Sequence, residues 1–507
     1  MMRYIYNRYT KRALCLLMTA LLLAAAVFSP GTAYAAVSQL AAIDGNAAIL
    51  VDARTGTVLY EQNADQPVAP ASTTKVMTAL LVVEAIQRGE ISPDDLVELT
   101  DAIMHDVPSD ASRIGKAMTV GEKVSVRELL LMALMESDCV ACDMLAVHVS
   151  GSVQQFVSQM NLRASQLGCR DTNFLNSHGY PTEGHTSTAR SLYLITGEAS
   201  KHPLFMEAFG CLKYEMPATN VADSRVLYST DKLLYDPSIV TSSYTVYYNE
   251  YVTGGKTGYS RASGNCLVST AEKDGTQLIS VITGVEMKYP DEQTVLDAFT
   301  ETDRLLMWGF DNYATHQIVA QGQSVKQVEI EDGEPEIINA VSADSMYVTL
   351  EKGVSADTIQ VTSALRGEIV TAPVSAGDVM GTVSLVSNGK VLASTDLIAG
   401  QDAPVAPSRF SANVPLIIIL CLLVAAGAGY LVYYTNNNQV LLLDLIMGKS
   451  GAAQKNRRTT GQNTQQRRNP QQRPAANQQQ SNTQEPATEQ LPSNPFDEFF
   501  ARNGKQQ

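Results

Sequence analysis

A serine and a lysine three residues apart open an apolar stretch, in the segment Ala71-Ser72-Thr73-Thr74-Lys75. If this stretch is a helix, residues i and i+3 share a face, so the Lys75 amine can lie beside the Ser72 hydroxyl. A serine hydroxyl becomes a useful nucleophile when a base removes its proton, and a lysine can be that base when burial disfavours its charged form. The pair therefore predicts nucleophilic catalysis. The alternative is a helix-capping serine beside a solvated lysine.

A second segment combines a lysine and a threonine with glycines, in Gly254-Gly255-Lys256-Thr257-Gly258-Tyr259. On the edge of a strand, the ammonium of Lys256 and the hydroxyl of Thr257 could bind a carboxylate. The glycines would let a substrate backbone lie alongside the strand. A surface turn with an incidental lysine is the alternative. The position of the segment, after Ser72 and at the end of a strand-like run, favours a ligand-binding strand.

A third polar segment, Met135-Glu136-Ser137-Asp138-Cys139, lies between the other two. Ser137 could relay a proton to a leaving amine with Lys75 as its partner, although an ordinary helix-end serine is the simpler interpretation of this segment alone. Cys139 and Cys142 form a C-x-x-C pair without a thioredoxin-like context, and the cysteines show no disulfide pattern. We therefore predict neither a metal nor a cofactor.

The elements that must position these segments include both strands and helices. The patterns predict a β-hairpin at 46–60, strands at 240–253, 266–271 and 277–285, and helices at 72–88, 124–150, 188–200 and 295–312. Strands at both ends with helices between them indicate a mixed α/β (α+β) domain. Short β-rich runs separated by turns follow it and predict a small all-β domain.

The two ends of the chain indicate a membrane protein. We predict a signal peptide at 1–35, a catalytic domain at 36–315, a β domain at 316–400, a linker at 401–413, a transmembrane helix at 414–434 and a mostly disordered cytoplasmic tail at 435–507. Basic residues after the apolar segment favour a cytoplasmic tail. The net charge of −15 argues against a nucleic-acid partner.

Together, the three segments resemble the S-x-x-K, S-x-N and K-T-G signature of penicillin-binding proteins and class A β-lactamases. The wider pattern is most similar to the low-molecular-weight D-alanyl-D-alanine carboxypeptidases. Further similarity to that family lies in the hairpin, in Pro67-Val68-Ala69-Pro70, in Asn176-Ser177-His178-Gly179-Tyr180, in Gly184 to Arg190, in Ser263 to Val268 and in Ala372 to Val383.

The resemblance implies a role for each residue. It implies that Ser72 forms the acyl-enzyme, that Lys75 is the general base and that Ser137 shuttles a proton. The substrate-binding residues it implies are Lys256 and Thr257 for the terminal D-Ala carboxylate, Gly258 and Tyr259 along the strand, and Arg190 as added positive charge. The backbone N–H groups of Ser72 and Tyr259 would form the oxyanion hole. The implied partners are stem peptides ending in D-Ala-D-Ala, and β-lactams as covalent inhibitors.

One residue departs from the family pattern, because Cys139 stands where the family has asparagine. A thiol is a weak donor and acceptor, so loss of the oriented amide could slow the reaction by about 10²-fold. Asp138 could partly compensate. Three alternatives therefore stay open: a pseudoenzyme that binds peptidoglycan or β-lactams and signals through its tail, a β-lactamase, and an endopeptidase. A β-lactamase would need a deacylating glutamate ahead of Lys256, where this chain instead follows the carboxypeptidase pattern.

Overall fold

The structure is a computed structural model that describes residues 38–115, 117–286, 297–407 and 409–438. The predicted signal peptide, and the predicted tail beyond residue 438, lie outside the described residues. Nine helices are described, and they are α1 (Lys75–Gln87), α2 (Asp101–Asp106), α3 (Val126–Met135), α4 (Cys139–Ser150), α5 (Val153–Gln166), α6 (Ala189–Ala199), α7 (Pro203–Phe209), α8 (Ala298–Asn312) and α9 (Arg409–Asn438).

The described strands fall into two groups along the chain. The first group is β1 (Ala47–Asp52), β2 (Val58–Gln62), β3 (Leu96–Glu98), β4 (Lys123–Ser125), β5 (Lys213–Met216), β6 (Arg225–Tyr228), β7 (Val252–Ser260), β8 (Gly264–Lys273) and β9 (Thr276–Val285). The second group is β10 (Tyr313–Val319), β11 (Ser324–Glu331), β12 (Ile337–Ser342), β13 (Met346–Glu351), β14 (Gln360–Leu365), β15 (Val370–Thr371), β16 (Val379–Ser387) and β17 (Lys390–Ala399).

The first domain is built on an antiparallel five-stranded sheet with helices on both faces. Its strand order is β2-β1-β9-β8-β7, which places β7 at one edge. Every residue of β1 is buried, so the strand does not alternate between apolar and polar side chains. Successive side chains of β1 point into two different cores, one on each face of the sheet. Ile49 packs with the helices before β7, whereas Leu50 packs with Phe310 of α8. This confirms the predicted mixed α/β domain.

One local prediction was wrong. The segment 240–253 was predicted as a strand, but it contains a 3₁₀ turn at Ser243–Tyr247, and β7 begins only at Val252. β-branched residues favour strands because their side chains pack on a sheet, but Val246 is 81% exposed and does not pack in this way. The region 124–150 is mostly helical, as predicted, and it is divided into α3 and α4 because Asp138 starts a new helix by accepting a hydrogen bond from the N–H of Ala141.

The second domain is all β, as predicted, with a six-stranded sheet of order β14-β16-β17-β12-β11-β15 and the pair β10-β13. A buried carboxylate joins it to the first domain. Asp52 is fully buried and accepts hydrogen bonds from the hydroxyls of Thr315 and Thr349, the latter at 2.9 Å between oxygens. Its other oxygen accepts from the N–H groups of Arg54 and Thr55. The hairpin turn of the first sheet is thereby fixed to the β domain.

One described helix is long and apolar enough to cross a membrane. The candidate span is Val414–Asn437 within α9, and it has no buried share inside the protein. An apolar helix of this length that packs against nothing fits a single-pass membrane anchor.

Candidate active site

The chain turns sharply where the first helix begins. Ala71 has a φ of +47°, a left-handed conformation that is uncommon for a residue with a side chain. A short 3₁₀ turn, Ala71–Thr74, then leads into α1 and leaves Ser72 half-buried. Gly179 presses against this turn, because a Cβ placed on it would lie 1.8 Å from the carbonyl oxygen of Ala71. The position of Ser72 is therefore set by a neighbouring loop as well as by its own helix.

The side chain of Lys75 is fully buried and points at the serine. Its Nζ lies 3.0 Å from Ser72 Oγ, 2.7 Å from the carbonyl oxygen of His178 and 3.5 Å from Cys139 Sγ. Three partners around one nitrogen fix the amine in place. The predicted adjacency of Lys75 and Ser72 is present.

Ser137 lies in the break between α3 and α4, in a left-handed conformation with a φ of +63°. Its hydroxyl is buried, and within the described part of the chain it has no hydrogen-bond partner. The carboxylate of the neighbouring Asp138 accepts hydrogen bonds from the N–H groups of Ala141 and Ile114. A strained residue with an unpaired hydroxyl at the wall of a cleft is typical of a functional position.

The edge strand β7 lies directly against the start of α1. A Cβ placed on Gly258 would lie 3.2 Å from the backbone nitrogen of Ser72 and 3.1 Å from the carbonyl oxygen of Pro70. A side chain at this position would be tightly packed, so the strand and the start of α1 would have to move apart by a few tenths of an ångström. Thr257 donates a hydrogen bond to Thr230 Oγ1 at 2.7 Å, while Tyr259 is 69% exposed.

These elements enclose a cleft of about 350 Å³. Its walls include Ser72, Ser137, Thr257, Gly258 and Tyr259. Lys256 lies beneath it, fully buried, with its Nζ donating to the carbonyl oxygen of Thr257 at 2.9 Å. The structure therefore brings three sequence segments, separated by up to about two hundred residues, to one opening.

Burial governs the electrostatics below the cleft. Burial, followed by the positive charge of Lys75, lowers the pKa of Lys256 to about 7. Burial likewise raises the pKa of Asp143 to about 6 and lowers the pKa of His178 to about 3. His178 is therefore neutral near pH 7, with its Nδ1 accepting from the N–H of Tyr180 at 3.2 Å.

One predicted residue does not join this cluster. Among the described residues, the side-chain hydrogen bonds of Arg190 go to Asp65 and Glu61, at 2.7 and 2.6 Å for the shortest contact with each. These carboxylates raise the pKa of Arg190 above its ordinary value. Two acidic partners leave little positive charge for a ligand in the cleft.

Sequence reasoning missed two contributors to the site. The carbonyl of His178 accepts from the Lys75 amine, and Thr230 accepts from Thr257. The segment around His178 was noted for its resemblance to a family, but a backbone carbonyl carries no sequence signal. Thr230 precedes a short 3₁₀ turn, and only the fold places it beside β7.

Comparison with known proteins gives the family. The family model described as D-alanyl-D-alanine carboxypeptidase matches residues 33–287, and that of the penicillin-binding protein 5 C-terminal domain matches residues 313–404. The D-alanyl-D-alanine carboxypeptidase DacF of Bacillus subtilis (strain 168) is 29% identical over 71% of this chain and 86% of its own. DacC of Escherichia coli (strain K12) is 30% identical over 73% of this chain and 88% of its own.

A solved structure agrees with the sequence comparisons. The crystal structure of penicillin binding protein 5 from Haemophilus influenzae is 25% identical, with a TM-score of 0.58, and covers 72% of this chain and 99% of that one. Both domains of the chain are thus matched by sequence, and the described fold by a solved relative. The chain belongs to the D-alanyl-D-alanine carboxypeptidase family of low-molecular-weight penicillin-binding proteins.

Proposed function

We propose that this protein is a serine DD-carboxypeptidase that removes the terminal D-alanine from the pentapeptide stems of peptidoglycan. The observation that carries the proposal is the buried Lys75 amine, 3.0 Å from the Ser72 hydroxyl at the wall of a cleft. A base must lie within hydrogen-bonding reach of the proton that it removes, and this distance meets that requirement.

The base in this proposal is the deprotonated form of the Lys75 amine. Such an amine can accept the Ser72 proton while it donates to the carbonyl of His178 and to the sulfur of Cys139. Ser72 Oγ then attacks the carbonyl carbon of the penultimate D-alanine, and Lys75 takes the proton. The peptide C–N bond breaks, Ser137 passes a proton to the leaving D-alanine amine, and water later hydrolyses the ester on Ser72.

The strand β7 is the proposed seat of the substrate. The Lys256 ammonium and the Thr257 hydroxyl bind the terminal carboxylate, and the backbone lies along Gly258 and Tyr259. A bound carboxylate brings negative charge to the buried Lys256 amine and so favours its charged form. Penicillins, whose carboxylate lies next to a reactive amide, would acylate Ser72 in the same pose.

The same proposal includes a topology. Residues 36–315 form the catalytic domain and 316–400 the β domain, both outside the cell, where the peptidoglycan is. The linker 401–413 leads to the anchor 414–434, and the basic tail 435–507 lies in the cytoplasm. Residues 1–35 are the signal peptide.

The proposal can be tested on the full-length protein in detergent. Wild type should release D-alanine from a D-Ala-D-Ala peptide and should be labelled covalently by a fluorescent penicillin. Ser72→Ala should abolish both signals, whereas Ser158→Ala, which removes an exposed serine hydroxyl on α5, should change neither. Labelling of the Ser72→Ala protein at an unchanged rate would exclude Ser72 as the nucleophile.

A second candidate function rests on Cys139. Its sulfur is the weakest of the three partners of Lys75, at 3.5 Å, and stands where the family resemblance implies an amide. A protein that is acylated but turns over slowly would act as a binder of peptidoglycan or β-lactams. Covalent labelling without D-alanine release would favour this function. Under it, Cys139→Asn should raise turnover by up to about 10²-fold.

A further inference from the structure

Asp231 is a fully buried carboxylate that the proposed mechanism does not use. It begins the 3₁₀ turn Lys232–Leu234, where its Oδ1 accepts from the N–H of Leu233 at 3.0 Å. Its own N–H donates to Ser229 Oγ at 3.1 Å. Its Oδ2 is buried and has no hydrogen-bond partner. Among the described residues, it is the one buried carboxylate oxygen without a partner. An unpaired buried oxygen of this kind needs a physical reason.

The unpaired oxygen points at β7, next to the lysine that we assign to carboxylate binding. A Cβ placed on Gly255 would lie 1.9 Å from Asp231 Oδ2 and 3.0 Å from Ser269 Oγ. The Asp231 carboxylate therefore fills the space that a side chain at position 255 would need. Thr230, the preceding residue, holds the same strand through the hydroxyl of Thr257.

Lys256 follows Gly255, and its buried amine lies near both positively and negatively charged groups. Burial disfavours its charged form, as does a charged Lys75 on α1, while Asp231 favours it, as would a thiolate at Cys139 or Cys142 on α4. Burial raises the pKa of Asp231 to about 7, and the charges of Lys232 and Lys256 oppose that rise. The ionised Asp231 carboxylate can thus offset part of the burial that disfavours the charged form of Lys256.

We propose that Asp231 is a positioning residue that packs against β7 at Gly255 and favours the charged form of the Lys256 amine, the form that binds the ligand carboxylate. This inference rests on the proposed function for the role of Lys256, but the placement of Asp231 against Gly255 does not depend on it. The carboxylate lies against Gly255, next to Lys256 in the strand, and Asp231 is not among the residues that line the cleft.

The charge is tested with Asp231→Asn, which keeps the shape and the acceptor for the Leu233 N–H. The second-order rate constant for acylation by a fluorescent penicillin is measured between pH 5.5 and 9 on the full-length protein in detergent. We expect a loss of about threefold or more at pH 8 and less than about twofold at pH 6, because without Asp231 the Lys256 amine loses its proton at lower pH. Asp236→Asn, the same change at a more exposed position of this loop, should follow wild type.

Equal pH profiles for Asp231→Asn and wild type would overturn the proposed charge effect, provided that wild type is labelled. The placement is tested separately by melting temperatures, which need no activity. Gly255→Ala should melt well below wild type, and adding Asp231→Ala should raise the melting temperature again by removing the carboxylate from the path of the new methyl group. A double variant that melts no higher than Gly255→Ala would overturn the placement, even if wild type proved inactive.

Discussion

The contact between Gly179 and the start of α1 gives a quantitative prediction about the nucleophile. In Gly179→Ala the new Cβ would lie 1.8 Å from the carbonyl oxygen of Ala71, whereas real Cβ atoms stay beyond 3.0 Å. The two backbones must therefore separate by about 1.2 Å. Ser72 directly follows Ala71 in the chain, so this shift would also move the nucleophile. A misplacement of a reacting group by about 1 Å can slow a reaction by about 10²-fold. We expect acylation by a fluorescent penicillin to slow by about that factor.

The matched control is Gly184→Ala in the same loop. Gly184 has a φ of +85°, close to the +81° of Gly179, so an alanine pays a similar conformational penalty of about 1–2 kcal/mol at either position. The nearest atom to its new Cβ is the side-chain carbon Leu175 Cδ1 at 3.6 Å, which is ordinary contact. Both variants should lose stability, measured by thermal melting, but only Gly179→Ala should lose acylation rate. Equal acylation rates in the two variants would refute the argument.

Three further predictions concern residues away from the serine. Asp143→Asn should remove a pH dependence of stability. The pKa of Asp143 is about 6 in the folded protein and lower in the unfolded chain, so proton binding stabilises the folded state. In thermal melts, wild type should therefore gain stability relative to the variant as the pH falls from 7 to 5. Asp52→Ala should cost on the order of 3 kcal/mol, because four donors lose one buried carboxylate, and should expose the joint between the domains to limited proteolysis. Arg190→Ala should leave acylation within about twofold of wild type and change the free energy of unfolding by about 1 kcal/mol or less, since its partners are acidic surface residues.

Each of these has a contrary outcome. Parallel pH curves for wild type and Asp143→Asn would mean that this carboxylate does not bind its proton more tightly in the fold. An Asp52→Ala protein as stable as wild type would exclude the proposed joint. A large loss of acylation in Arg190→Ala would restore the role near the ligand carboxylate that the family resemblance implied.

The chemistry-bearing residues could be predicted from the sequence because their signal is local. Ser72 and Lys75 are three residues apart at the start of an apolar helix, so helical geometry alone places the two side chains together. The strands around residues 264–285 and the hairpin could be predicted in the same way, from alternation and turn residues. The apolar span at the C-terminal end needed only length and composition.

The tertiary structure decided everything that depends on contacts between distant segments. A carbonyl such as that of His178 and a space such as that beside Gly255 leave no trace in residue type, so the sequence could not reveal the third partner of Lys75 or the position of Asp231. The tertiary structure likewise pairs Arg190 with two carboxylates, and it places the strand-like segment around Val246 in an exposed 3₁₀ turn instead of a sheet. Side-chain type determines which interactions a residue can make, but the packing of distant segments determines which partners it meets, and burial then sets its charge.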